Sequence, residues 1–223
     1  MTPENPPRAA RAPREDVSVK TLIFDLDGTL VDSFDDIVLS FQYAFRTLGL
    51  PLPDSGAVRA QIGTPLESMV AGFSKTHIAA LTAVYCAYYP RHCGDHATLK
   101  PGVLETLEAL RWRGYKLGVA TTKRTPIAKK LIRTVGLADA VDFVQGTDGF
   151  AHKPAPNVIY RLLAHAGGEG SWMVGDTTSD VLAGKAAGLK TYAVTWGSHD
   201  AHTLQGAAPT VIAPDLKKLL ELT

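Results

Sequence analysis

Two carboxylates at the end of one apolar run open the chemical reading of this chain. Asp25 and Asp27 follow Thr21-Leu22-Ile23-Phe24. If the strand continues through them, alternate residues point the same way and both acids share a face. Three other apolar runs end in polar residues of complementary type. Thr121 and Thr122 follow Lys116 to Ala120, with Lys123 and Arg124 behind them. His152 and Lys153 lie a short loop beyond Phe143-Val144, and Asp176 and Asp180 follow Trp172-Met173-Val174. Adding Asp176 to the first pair brings up to three negative charges together. Carboxylates that close repel, and one takes up a proton unless a cation holds them. A hard divalent ion with oxygen ligands meets that need. Mg²⁺ in particular takes one or two carboxylates, several waters and a substrate phosphate. Lys153 supplies further positive charge, and Gly28 and Thr29 form a turn whose N–H groups can cradle an anion. Metal, lysine and N–H nest together describe a phosphate site. One carboxylate there can act as nucleophile and form an aspartyl-phosphate. The other can protonate a leaving alkoxide and then activate water.

These residues converge only if the elements before them lie side by side. The apolar runs read as buried strands, joined by Thr191 to Val194 and by Val211-Ile212. Helical spacing separates them: Val103, Leu104, Leu107 and Leu110, closed by Gly114; a helix capped by Thr125 with Pro126 as its first residue, closed by Gly136; Ile159, Leu162 and Leu163 after Pro156; Val181, Leu182 and Ala186 before Gly188; and Leu216 to Leu220. Strands alternating with helices imply an α/β fold, a Rossmann-like parallel sheet with helices on both faces. Ligands of such sheets bind beyond the carboxyl ends of the strands, where the polar residues above fall.

One stretch breaks the alternation. From Phe34 to about Thr98 there is no strand-like run, and Ile37, Val38, Phe41 and Phe45, then Leu66, Met69 and Val70, then Ile78 to Tyr89 are helically spaced. Residues 34–98 read as an inserted α-helical domain interrupting a core made of residues 19–33 and 99–223. Residues 1–18, rich in Pro and Arg with no apolar segment behind them, read as a disordered tail and not a signal peptide. A formal charge of +1 disfavours a nucleic-acid binder, which is usually clearly basic, yet permits a small anionic substrate at a local site. No run approaches the roughly 18 apolar residues of a membrane span. The two cysteines, Cys86 and Cys93, form no Cys-x-x-Cys and suit reduced thiols in a cytoplasm.

The motifs carry a resemblance. Phe24-Asp25-Leu26-Asp27-Gly28-Thr29-Leu30-Val31-Asp32-Ser33 resembles the first motif of the haloacid dehalogenase superfamily of phosphohydrolases. Thr121 at a strand end, Lys153 in His-Lys-Pro-Ala-Pro and Gly175-Asp176-Thr177-Thr178-Ser179-Asp180 resemble the second, third and fourth. The resemblance covers about residues 20–215. It implies Asp25 as nucleophile and Mg²⁺ ligand. Asp27 becomes the general acid/base, with its backbone carbonyl on the metal. Thr121 and Lys153 contact the phosphoryl group, Asp176 binds Mg²⁺ directly, and Asp180 acts through water or by positioning Lys153. Gly28 and Thr122 join the phosphate contacts; the family often has Asn or Ser where Thr122 stands. The acid at Asp27 disfavours a dehalogenase. The insert falls where the family places its helical cap, which closes over the site and chooses the substrate. Arg59 to Leu66, and Tyr89-Pro90-Arg91-His92 leading into Lys100-Pro101-Gly102-Val103, resemble the phosphoglycolate phosphatase subgroup more loosely.

The resemblance therefore implies a Mg²⁺-dependent phosphomonoesterase of a small phosphorylated metabolite, 2-phosphoglycolate being the best single choice, acting as monomer or homodimer. A phosphomutase of the β-phosphoglucomutase type would share the catalytic set. A phosphonate hydrolase would need a cap lysine, for which Lys75 is the sole candidate in a neighbourhood that does not match. A non-catalytic binding protein on the same fold is disfavoured by the intact acids. Arg59, Lys75, Arg91 and Arg124 are candidate anchors for a second anionic group, although each reads more readily as a solvated surface charge. His152 is a candidate for facing the cleft. Tyr85, Tyr88 and Tyr89 read as core of the insert.

Overall fold

The computed structural model describes residues 19–223, so the tail expected at 1–18 lies outside the described residues. Strand β1 (Thr21–Phe24) is fully buried, which matches a strand without polar alternation. A short β2 (Val31–Asp32) leads into four helices: α1 (Phe34–Thr47), α2 (Ser55–Arg59), α3 (Leu66–Phe73) and α4 (Ile78–His92). β3 (Thr98–Leu99) returns the chain to α5 (Val103–Trp112), β4 (Lys116–Ala120), α6 (Thr125–Thr134), β5 (Phe143–Gln145) and α7 (Asn157–Ala166). Then follow β6 (Gly170–Gly175), α8 (Thr178–Ala186), β7 (Lys190–Val194), α9 (Ala201–Gly206), β8 (Val211–Ala213) and α10 (Lys217–Leu222).

Six strands form one sheet in the order β5-β4-β1-β6-β7-β8, and every pairing is parallel. Residues of β1 alternate between its faces. Leu22 and Phe24 pack with Leu107 and Leu110 of α5 and Leu131 of α6, whereas Ile23 packs with Val158, Ile159 and Leu162 of α7 and Ala183 of α8. The sheet thus carries helices on both faces. The chain leaves β1 toward β4 and β5, then returns to its other side for β6, β7 and β8. That reversal makes the carboxyl end of β1 the topological switch point, where such sheets open a crevice.

The four inserted helices build a second core around Phe41, whose ring lies 5.3 Å from those of both Phe45 and Phe73. Burying one such side chain contributes about 1.5–3 kcal/mol. The two connections to this unit run side by side: β2 and β3 are antiparallel, with Val31 opposite Leu99, and Lys100 Nζ lies 2.7 Å from Asp32. Buried Asp36, in the first turn of α1, accepts from the backbone N–H groups of Gly94 and His96 and bonds His96 Nδ1 at 2.8 Å. Lys130 of α6 donates to the carbonyls of Pro90 (2.7 Å) and Arg91 at the end of α4, where a helix presents unmet acceptors.

Three details differ from the sequence reading. The β2–β3 pair was not expected, because two-residue strands produce no periodicity. The short helices α2 and α9 were not expected either. α6 begins one residue earlier: Arg124 holds the cap position, Thr125 is already helical, and its N–H and Oγ1 are bonded by Asp148. The cap comes from a distant aspartate, which local sequence does not show.

Candidate active site

Each strand around the switch point delivers a polar residue to its carboxyl end. Asp25 continues β1, its N–H bonded to the Val174 carbonyl of β6 at 2.8 Å. Lys153 reaches in from the loop before α7. Its ammonium donates to Asp25 Oδ1 (2.7 Å), Asp180 Oδ1 (2.5 Å) and the Ala120 carbonyl (3.1 Å). Three donors meet three acceptors, so Lys153 is saturated. Asp180 is held in turn by α8, where Thr177 and Asp180 make a reciprocal capping box. Asp176, fully buried, accepts from Thr29 Oγ1 and the Ser198 N–H, both at 2.7 Å. Gly28 (φ 79°) and Gly197 press against the Asp176 carboxylate so closely that a Cβ at either position would collide with it.

Carboxylate oxygens of Asp25, Asp176 and Asp180 lie within 4.8 Å of one another, all on buried residues. One ammonium faces three acids. Burial, with Asp180 and Asp176 adding to it against the pull of Lys153, pushes Asp25 up to about 8. Burial and then Asp180 push Asp176 up to about 6 despite its hydrogen bonds. Lys153 is raised: its two carboxylate partners outweigh the burial that opposes its charge. Clustered hard oxygen donors with excess negative charge are the chemistry of a Mg²⁺ site, so the residues present fit that ion. Asp25 and Asp176 are the members with carboxyls not committed to an ammonium and a helix cap at once.

Asp27 faces elsewhere. One of its oxygens takes a short bond from Ser33 Oγ, and the other lies 2.8 Å from Lys123 Nζ. The Lys123 side chain is largely enclosed beneath the insert, its ammonium 4.8 Å from the centre of the Tyr89 ring. Burial alone would lower Lys123, yet Asp27 and then Tyr85 turn the balance and raise it. Asp27 and Lys123 open onto a cavity of about 530 Å³ between insert and sheet, walled also by Thr82, Tyr85 and Tyr89 of α4 and by His152. That volume suits a small organic ligand. The side chains of Tyr89, Thr82 and His152 bring a buried hydroxyl, hydroxyl and Nδ1 that have no hydrogen-bond partner.

The structure brings together Asp25, Lys153, Asp176 and Asp180, and sets Asp27 beside them on the cavity. Buried Thr121 ends β4, its Oγ1 accepting from the Lys123 N–H at 3.2 Å, and Thr122 lines the cavity. Gly28 needs a correction. Its N–H donates to the Val31 carbonyl at 2.8 Å, so it is not free to cradle an anion, and its contribution is the missing side chain beside Asp176. The Asp27 carboxylate is likewise not part of the acidic cluster, whose third member is Asp180. Arg59 instead pairs with Asp35, while Arg124 and His152 reach the cavity wall. Tyr85 and Tyr89 belong to the insert's core and to the cavity wall at once. Sequence reasoning missed Lys123 and Ser33; the former was visible only as a lysine behind Thr121, and the latter as a turn residue.

The comparisons agree with this geometry. Residues 22–194 match the family model of the haloacid dehalogenase-like hydrolases. A protein of Dickeya dadantii named "Probable phosphatase IndB" is 38% identical, over 89% of this chain and 91% of its own. A phosphoglycolate phosphatase of Aquifex aeolicus is 35% identical, over 80% and 86%. The solved structure of a haloacid dehalogenase-like hydrolase from Streptococcus pneumoniae superposes with a TM-score of 0.84 at 32% identity, covering 92% of this chain and 98% of that one. The parallel sheet, the acid-and-lysine cluster at its switch point and these matches lead to one assignment: the chain belongs to the haloacid dehalogenase-like hydrolase family and is a phosphatase of that family.

Proposed function

We propose that the protein is a Mg²⁺-dependent phosphomonoesterase of a small phosphorylated metabolite, working through an aspartyl-phosphate on Asp25, with 2-phosphoglycolate its best single substrate. The observation that supports this most is the division of labour between the first two acids. Asp25 is clamped by Lys153 through Oδ1 alone, which leaves Oδ2 for attack, while Asp27 stands apart on the cavity where a leaving group must sit. Mg²⁺, held by Asp25, Asp176 and the backbone carbonyl of Asp27, would supply positive charge to the oxygens of the transferring phosphoryl group.

The protein's own residues do the rest. Asp25 Oδ2 forms a bond to phosphorus as the ester P–O bond opposite it breaks. Asp27 delivers its proton to the departing oxygen, then takes one from a water that attacks the acyl-phosphate and returns Asp25 to a carboxylate. Lys153 and the Thr121 hydroxyl balance charge on the phosphoryl oxygens, and Asp180 keeps Lys153 in place. The helical insert, residues 34–98, acts as a cap and excludes water from the closed site. The protein works as a monomer or homodimer in the cytoplasm; its cysteines are free, and among the described residues no helix is long and apolar enough to cross a membrane.

Phosphate release is measured over a panel of 2-phosphoglycolate, pyrophosphate, sugar phosphates and nucleotides, with and without Mg²⁺. The expected result is Mg²⁺-dependent release, greatest with 2-phosphoglycolate. In Asp25→Asn, kcat falls by at least about 10⁴, in the range for loss of a covalent nucleophile. Wild-type-like turnover in that variant would remove Asp25 from its role.

A further inference from the structure

Lys123 is absorbed by none of these steps, yet it is placed as few lysines are. Its side chain is only 9% exposed, its one carboxylate partner is Asp27, and its ammonium lies against the Tyr89 ring. An ammonium has three donors. Lys153 uses all of hers on protein acceptors, whereas Lys123 uses one, at the edge of the cavity. On α4 above it, the hydroxyls of Tyr89 and Thr82 are buried without partners. Buried polar groups are normally satisfied, so this concentration on one wall marks a place where a ligand completes the hydrogen bonding.

We propose that Lys123 is the specificity-determining residue of the site. Its two spare donors, with the Tyr89 and Thr82 hydroxyls, hold an anionic group carried by the leaving part of the substrate. The inference rests on the reading of Asp27 as the acid that protonates the leaving oxygen. Lys123 Nζ is 2.8 Å from Asp27 Oδ2, and hydrogen bonds to a ligand span about 3 Å. Asp27 is itself about 3 Å from the leaving oxygen it protonates, so the anion Lys123 reaches lies within about 9 Å of that oxygen. A carboxylate on the adjoining carbon meets that condition, and so does the second phosphate of pyrophosphate. A neutral alcohol does not use the charge. Arg124 and Glu67 also line the cavity, so Lys123, the lining cation paired with Asp27, is not the only charge there.

The test compares kcat/KM for 2-phosphoglycolate, pyrophosphate and the neutral analogue 2-hydroxyethyl phosphate in wild type and Lys123→Met. The ratio of anionic to neutral substrate is expected to fall at least tenfold, chiefly through KM. Whichever anionic ester loses more identifies carboxylate or phosphate as the group recognised. Tyr89→Phe, which keeps the ring, is expected to lower kcat/KM severalfold for the same ester. A parallel fall for all three substrates in Lys123→Met would mean that Lys123 acts only through Asp27 and would overturn the proposal. Calorimetric binding to Asp25→Asn separates this inference from the phosphatase reading. If no ester is hydrolysed by wild type, yet Asp25→Asn binds 2-phosphoglycolate or pyrophosphate at least tenfold tighter than the neutral analogue and Lys123→Met erases the difference, the specificity role stands and the substrate reading falls. Hydrolysis without any preference for the anionic esters leaves the phosphatase intact and removes the role of Lys123.

Discussion

The floor and the roof of the cavity are built on opposite terms. On the floor, the charged side chains are held by protein partners: Lys153 by Asp25, Asp180 and the Ala120 carbonyl, Asp176 by Thr29 and Ser198, Asp180 by Thr177. On the roof, Tyr89 and Thr82 carry hydroxyls with no partner, and Lys123 below them keeps two donors unspent. A floor whose side chains are already held in position is pre-organised, so little reorganisation is left for the moment of phosphoryl transfer. A roof left unsatisfied gains hydrogen bonds only when a ligand brings oxygens to it. The transfer chemistry is thus a property of the sheet, and the choice of leaving group a property of the insert and the loop facing it.

The sharpest way to break this contrast is to remove the two lysines in turn. Lys153→Met strands three buried acids with no ammonium, and breaking a buried charge network costs about 3–5 kcal/mol. Lys123→Met leaves Asp27 with Ser33 and an open cavity, so a smaller loss, about 1–2 kcal/mol, is expected. Urea unfolding of both variants decides the order. A larger loss for Lys123→Met would show that the roof, and not the floor, carries the structural charge network.

Metal addition sharpens the same contrast without any turnover. The acidic cluster on the floor has more negative charge than Lys153 balances, so Mg²⁺ at about 100 times its Kd is expected to raise unfolding free energy by about 2.7 kcal/mol. Asp176→Asn should abolish most of that gain, while Lys123→Met should keep it. A Mg²⁺-dependent rise in melting temperature that survives Asp176→Asn would place the ion elsewhere.

Thr82 offers the reverse test on the roof. Its Oγ1 is buried and unpartnered, so Thr82→Val removes a hydroxyl that gains nothing in the free protein. Unfolding free energy is expected to stay within about 0.5 kcal/mol or to rise. A loss beyond about 1 kcal/mol in a urea titration would mean the hydroxyl is satisfied after all.

The floor was legible in the sequence because its residues obey a simple placement rule: polar side chains just past buried strands meet at a parallel sheet's carboxyl edge. Asp25, Thr121, Lys153 and Asp176 all follow it. Lys123 does not, since a lysine in a loop after a strand reads as solvated until α4 folds down and encloses it beside Tyr89. Ser33 sits where a serine ordinarily caps a helix. In the structure it makes no cap bond to α1 and turns its hydroxyl to Asp27. Asp180 completes the capping box of α8 through Oδ2, while Oδ1 holds Lys153. A single residue with two partners on different elements cannot be divided by local sequence. The β2–β3 pair and the Asp36 contacts escaped for a related reason: both join the entry of the insert to its exit, about sixty positions later.

That junction supports the smallest effect expected. His96 is raised above its ordinary value of 6.5, chiefly by its hydrogen bond to Asp36, which outweighs the slight burial opposing it. A histidine whose folded value is raised contributes stability that is fully present below the unfolded value and is lost as pH rises through the folded one. The Asp36–His96 contact should therefore hold the insert's exit to its entry at mildly acidic pH and relax above neutrality. Because the ring is exposed, the change is small and screened by salt. The backbone N–H bonds from Gly94 and His96 to Asp36 persist across the range, so the junction loosens without opening. Amide exchange at residues 94–96 is expected to rise modestly between pH 6 and pH 8 after correction for the intrinsic rate, and His96→Gln should flatten that dependence. If the corrected exchange is the same in both proteins, the imidazole contributes nothing at this hinge, and the contrast between floor and roof rests on the cavity alone.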